Sequence, residues 1–72
     1  MAKNKIFKIN GDNKIFKIFY LIDLEAIYAL EIEKDDDRDY YYVVGFAKDG
    51  RTIEVGKEQA DDFIEAWLDL KR

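Results

Sequence analysis

Cysteine, histidine, proline and serine are all absent from this sequence of 72 residues, and threonine occurs once, at Thr52. Without cysteine no disulfide forms, and without cysteine or histidine the usual zinc and haem ligand sets are excluded. Serine, cysteine and histidine are also the groups from which nucleophile–base pairs are built, so that route to covalent catalysis is closed. The four glycines lie far apart and make no phosphate-cradling loop. A carboxylate pair needs a desolvated cleft to shift its pKa values, and a chain this short has little room for one. The expectation is a protein that is not an enzyme, with no catalytic residues, no metal and no cofactor. Long apolar runs are missing too. None is longer than the run from Ile18 to Ile22, which is far too short to cross a bilayer. The first residues show no basic-then-apolar leader with a cleavage site, so a cytoplasmic location is the default expectation.

What is present is a rich apolar supply. Hydrophobic residues make up 49% of the chain and aromatic residues 15%, well above the composition of a disordered segment. No linker and no shift of composition marks a second unit, so residues 1–72 read as a single domain. A domain of this size buries only about 60% of the surface its unfolded chain exposes. Self-association is one common supplement to so thin a core.

The net charge of −4 is unevenly spread. Residues 1–19 hold Lys3, Lys5, Lys8, Lys14 and Lys17 against Asp12 alone, whereas residues 20–40 hold eight acids against Lys34 and Arg38. The acidic balance argues against direct binding to nucleic acid or to an anionic membrane, and leaves room for a basic partner.

Two hairpins and a helix are legible. Lys5-Ile6-Phe7-Lys8-Ile9 recurs as Lys14-Ile15-Phe16-Lys17-Ile18 around the turn-forming Asn10-Gly11-Asp12-Asn13. This predicts a hairpin with Phe7 opposite Phe16 and the lysines on the other face, where they blunt a sheet edge. A nucleic-acid surface of lysines and aromatics is the rival reading of the same repeat. Asp49-Gly50 is a two-residue type I′ turn signal. It sets Phe46 against Ile53 and Val44 against Val55, and places Tyr40, Tyr42, Val44, Phe46, Ile53 and Val55 on the buried face. Residues 26–33 read as a further strand, although Phe16, Phe19, Tyr20, Leu24, Ile27 and Tyr28 also fit a helical stripe across residues 16–30. Ala60, Phe63, Ile64, Trp67 and Leu68 follow the helical period, with acids early, Lys71 and Arg72 late, and Gly56 as a weak N-cap. The expected fold class is α+β: a small antiparallel sheet of about four strands with one C-terminal amphipathic helix packed on one face.

Three constellations are candidates for function. Asp35, Asp36, Asp37 and Asp39 crowd one loop with Lys34 and Arg38. Their spacing opens like a calcium loop, but the position that needs glycine is Tyr40 and the one that needs glutamate is Phe46, so a solvated acidic turn fits better. Glu58, Asp61, Asp62, Glu65 and Asp69 form the outer face of the helix, with like charges at i, i+4 in Glu58–Asp62, Asp61–Glu65 and Glu65–Asp69. Each such pair costs a few tenths of a kcal/mol, a sacrifice that a binding surface would explain; solubility alone, or pairing with the chain's own lysines, would explain it too. Tyr41, set on the face opposite Tyr40 and Tyr42, reads as an exposed anchor beside these acids.

Together these point to a small, acidic, non-catalytic binding protein that covers a basic site on a larger protein, itself a nuclease or another nucleic-acid binder. In size, acidity and lack of a catalytic set, the chain resembles the small phage-borne inhibitors of bacterial defence nucleases, anti-CRISPR proteins among them. No motif carries that resemblance, and it transfers no residue. Two alternatives belong to other classes. One is a self-associating structural or regulatory module, a homodimer in which the basic hairpin of one copy meets the acidic surface of another. The other is a sponge for a small anionic ligand held by Arg38 or Arg51 with a stacking tyrosine.

Overall fold

A computed structural model describes residues 5–11 and 15–72. Five strands and one helix follow in the order β1 (Ile6–Asn10), β2 (Phe19–Asp23), a 3₁₀ turn (Leu24–Ala26), β3 (Ile27–Asp35), β4 (Tyr40–Ala47), β5 (Thr52–Gly56) and α1 (Lys57–Lys71). The class is α+β as the sequence indicates, with the strands divided between two antiparallel sheets, β1-β2 and β3-β4-β5. Residues 16–30 are therefore not one helix. The chain turns at Asp23, whose carboxylate accepts from the Glu25 backbone N–H at 3.0 Å, and continues as β3.

The first hairpin departs from the repeat-based pairing. Phe7 stands opposite Ile22, not Phe16, and Ile9 opposite Tyr20. Lys14, and the turn residues Asp12 and Asn13, lie outside the described residues; Ile15, Phe16, Lys17 and Ile18 fall in the connection before β2. The reason is burial. Pairing with residues 19–23 places Ile22 beside Phe7 on the side where Phe7 meets Phe63 edge-to-face, ring centres 5.3 Å apart. A repeat of sequence confers no such contact.

The second hairpin is shifted by one residue from the predicted register. Phe46 faces Thr52, Val44 faces Glu54 and Val43 faces Val55. The loop has three residues, Lys48, Asp49 and Gly50, closed by Ala47 N–H to the Arg51 carbonyl (2.9 Å) and Gly50 N–H to the Ala47 carbonyl (3.0 Å). Gly50 alone takes positive φ (94°) in this loop, the signature of a type I turn followed by a G1 bulge, whereas type I′ needs two such residues. Asp49 fixes the choice. Its carboxylate accepts from the Arg51 backbone N–H (3.0 Å) and from Arg51 Nε (2.7 Å).

This shift reverses the faces of β4. The buried side is Val43, Gly45 and Ala47 with Val55, and the side predicted to be core, Tyr40, Tyr42, Val44 and Phe46, faces away from the helix. The helix lays Phe63 and Ala60, both fully buried, over this small-residue face, with Ile64 and Trp67 packed beside them. A Cβ built on Gly45 would stand 3.4 Å from the Phe63 ring and 3.3 Å from Ile27. The ring thus occupies the space that glycine leaves. Trp67 Nε1 donates to the Ile27 carbonyl at 3.0 Å, next to the bulge where pairing of β3 with β4 skips Tyr28. Gln59 ties the helix to the other sheet: its Oε1 accepts from Asn10 N–H and its Nε2 donates to the Lys8 carbonyl, both at 2.9 Å.

Candidate functional site

The outer face of α1 and the β3–β4 turn meet at one corner. Packing of Phe63 and Ala60 inward forces Glu58, Asp61, Asp62, Glu65 and Asp69 outward, because residues three and four apart share a face. All five are exposed. Glu58, Asp62 and Glu65 make no ion pair within 4.0 Å with any described residue. Asp61 accepts from the Tyr41 hydroxyl at 2.8 Å, and Asp69 pairs with Arg72 at 2.7 Å.

The turn is closed by Asp35, whose carboxylate accepts from the Asp37 backbone N–H at 3.1 Å, and by Asp39 in the left-handed region at φ 53°. Aspartate tolerates that conformation better than most residues. Three of its four carboxylates have cations nearby: Asp35 with Arg38 (3.6 Å), Asp36 with Lys34 (4.0 Å) and Asp39 with Lys57. These pairs are exposed, and such contacts are worth about 0–1 kcal/mol. Lys57 opens the helix, so its bond to Asp39 joins the acidic turn to the acidic face. Two of the N-terminal lysines are engaged elsewhere: Lys5 lies 3.8 Å from Glu25, and Lys8 sits over the Phe19 ring at 4.4 Å. Both arginines that a small anionic ligand would use are engaged, Arg38 with Asp35 and Arg51 with Asp49.

Tyr41 is not the exposed anchor its parity suggested. It lies half-buried on the helix side of the sheet, with Lys34 Nζ 5.3 Å from its ring centre. Its hydrogen bond to Asp61, followed by burial and the charge of Asp61, raises the phenol pKa above the ordinary value. Its role is to brace Asp61 against the sheet.

The residues that sequence reasoning missed are on the open face of β3-β4-β5. Tyr40, Tyr42, Val44 and Phe46 run along its centre. Cross-strand register places Glu31 and Glu33 on one flank and Glu54 on the other. The Tyr40 and Tyr42 rings lie nearly parallel, centres 6.1 Å apart. Tyr40 donates weakly to Glu33 at 3.5 Å. Hydrogen bonding to Glu54, then burial and nearby negative charge, pushes the Tyr42 phenol up to about 12. An open groove of about 890 Å³ runs from this ridge toward β2, lined by Tyr20, Ile22, Tyr42, Ile53, Glu54 and Glu58. The signal for this arrangement was in the sequence: Gly45 and Ala47 leave room for Phe63, whereas Phe46 and Val44 do not.

Among the described residues no group of three or more acidic side chains is arranged to hold a metal ion, and no helix is long and apolar enough to cross a membrane. Set against known proteins, the chain matches no family model, no curated protein and no solved structure.

Proposed function

We propose that this protein is a non-catalytic binding protein that covers a basic site on a larger, nucleic-acid-binding protein. Its contact surface is the outer face of α1 together with the β3–β4 turn. One observation carries this reading: Glu58, Asp62 and Glu65 stand exposed along the helix without an ion pair among the described residues. Residues three or four apart are neighbours on a helix face, and like charges at such spacings repel at a few tenths of a kcal/mol per pair. A cationic partner turns that repulsion into attraction and gains faster association through steering. Such a surface competes with phosphates for the same lysine and arginine side chains. The tyrosine ridge between Glu31, Glu33 and Glu54 continues the negative potential onto the open face of the sheet.

The test is capture of a basic, nucleic-acid-binding protein by the immobilised chain, followed by affinity measurement over a salt series. The Asp62→Lys, Glu65→Lys double variant is expected to lose binding, and wild-type binding is expected to fall steeply with salt. The same variant keeps its fold, because neither side chain is buried and reversal of Asp62 relieves its repulsion with Glu58. Equal affinity of the variant and the wild type for that partner would overturn the proposal.

A further inference from the structure

The two edges of the β1-β2 sheet are treated differently. Gly11 N–H donates to the Ile18 carbonyl and Leu24 N–H to the Lys5 carbonyl, each at 2.7 Å, so these pairs bracket the ladder. In an antiparallel pair, hydrogen-bonded and non-hydrogen-bonded positions alternate. Ile9 with Tyr20 and Phe7 with Ile22 therefore bond to each other, and the residues between them turn their backbone groups outward. On β1 those outward groups belong to Ile6, Lys8 and Asn10, and the Gln59 carboxamide takes the Lys8 carbonyl and the Asn10 N–H, as a neighbouring strand would. On β2 they belong to Phe19, Leu21 and Asp23. Among the described residues nothing bonds the backbone of Phe19 or Leu21 on that edge.

Among the described residues the β2 edge also lacks a central charge, a proline and a bulge, three of the devices that keep sheet edges from pairing. Phe19-Tyr20-Leu21-Ile22 carries no charge, and Leu21 and Phe19 are 64% and 51% exposed. The edge of β3, by contrast, carries Glu31, Glu33 and Lys34 and a bulge at Tyr28. We infer that two copies of this chain join through β2, antiparallel across a two-fold axis at Leu21, to make one four-stranded sheet. In that register Leu21 exchanges both backbone bonds with Leu21 of the second copy, and Phe19 does so with Asp23 of the second copy.

Charge selects the direction. Among the described residues one end of β2 is cationic, with Lys17 before it and Lys8 over Phe19; the other is anionic on balance, with Asp23 and Glu25 against Lys5, which lies 3.8 Å from Glu25. Antiparallel pairing sets Asp23 beside Lys8 and brings Glu25 to the Lys17 end, whereas parallel pairing stacks like on like. A two-stranded sheet by itself is marginal in water, and doubling it across the axis removes its open edge. β1 stands between β2 and the helix, so the dimer leaves both acidic helix faces free, and the inference does not rest on the proposed function.

The test is sedimentation of the full chain over a concentration series. The wild type forms a dimer, and Leu21→Lys, which sets two ammonium groups against each other at the axis, is monomeric with an unchanged circular dichroism spectrum and a melting temperature that no longer rises with concentration. Lys17→Glu weakens the dimer about threefold to tenfold, and adding Glu25→Lys restores it. Because the chain has no cysteine, Leu21→Cys reports the geometry directly: a short bifunctional maleimide links it to its copy, and does not link Ile32→Cys on the β3 edge. A wild-type monomer throughout the series, a Leu21→Lys dimer of undiminished strength, or linkage at Ile32→Cys in place of Leu21→Cys would each overturn the inference. Asp62→Lys with Glu65→Lys leaves dimerisation intact, so failure here is distinct from failure of partner binding.

Discussion

The two faces of β4 differ in side-chain volume where the helix crosses the strand. Toward the helix stand Val43, Gly45 and Ala47; away from it stand Tyr40, Tyr42, Val44 and Phe46. A judgement by hydrophobicity alone selects the second set as core, since it offers more apolar area to bury. The chain buries the first. The helix supplies the bulk, Phe63 and Trp67, and large residues on one layer need small ones on the other to interdigitate at native density. Tyrosines can remain on the outer face because their hydroxyls reach water or carboxylates while their rings cover the sheet. Complementarity of volume between layers, not the hydrophobic content of either one, decided which side of this sheet is inside.

The sharpest way to break that comparison is to truncate one aromatic on each face. Phe63→Ala is expected to cost about 3–5 kcal/mol, comparable to the whole stability of a domain of this length, so the variant should be largely unfolded by circular dichroism at room temperature. Phe46→Ala, on the open face, is expected to cost about 1 kcal/mol, a fall in melting temperature of roughly 4–8 °C. Equal losses would mean that the two faces are not distinguished as described.

Gly45→Val inverts the test by adding volume to the small-residue side. Its Cβ alone would stand 3.3 Å from Ile27 and 3.4 Å from Phe63, and its methyls demand more space. The expected cost is about 1–3 kcal/mol despite valine's preference for strands, read as a lower urea midpoint with an unchanged slope. A stabilised Gly45→Val would show that the helix is free to move off the sheet.

The smallest effect sharpens the chemistry of the open face. The Tyr42 phenol is raised from 10.0 to about 12 by its bond to Glu54, burial and neighbouring negative charge. A group whose folded pKa lies above its unfolded value favours the folded state in its protonated form. That contribution is complete below pH 10 and is lost as the pH rises from 10 to 12. The melting-temperature gap between wild type and Tyr42→Phe should therefore narrow across this interval, with tyrosinate absorbance reporting the ionisation in parallel. A constant gap would place the Tyr42 hydroxyl away from Glu54.

How much of this was legible beforehand follows from the range of each interaction. The C-terminal helix was, because its period of 3.6, its acids early and its Lys71 and Arg72 late are all local properties. The hairpin at Asp49-Gly50 was also seen, but its turn type was not. Arg51 supplies a second partner for the Asp49 carboxylate and favours the three-residue loop, and the one-residue difference carried every side chain of β4 to the other face. The repeat at Lys5–Ile9 and Lys14–Ile18 looked like a pair of strands, yet the strand that pairs with β1 is the one whose Ile22 helps to cover the core. The acidic positions on the helix are exposed as expected, since Ala60, Phe63, Ile64 and Trp67 take the inner side. The position of Tyr41 was missed for the same reason as the face of β4.

By itself the sequence determined the α+β class, the absence of the usual soft metal ligands, the helix with its outward row of Glu58, Asp61, Asp62, Glu65 and Asp69, and the existence of both hairpins. Each of these is written in spacings of a few residues. Only the tertiary structure decided which face of β4 is buried, which strand β1 takes as partner, and that Tyr41 braces the helix while Tyr42 stands among carboxylates. Those choices depend on how the volumes of Phe63, Gly45 and Ile27 fit together, and side chains so far apart along the chain meet only after it has folded.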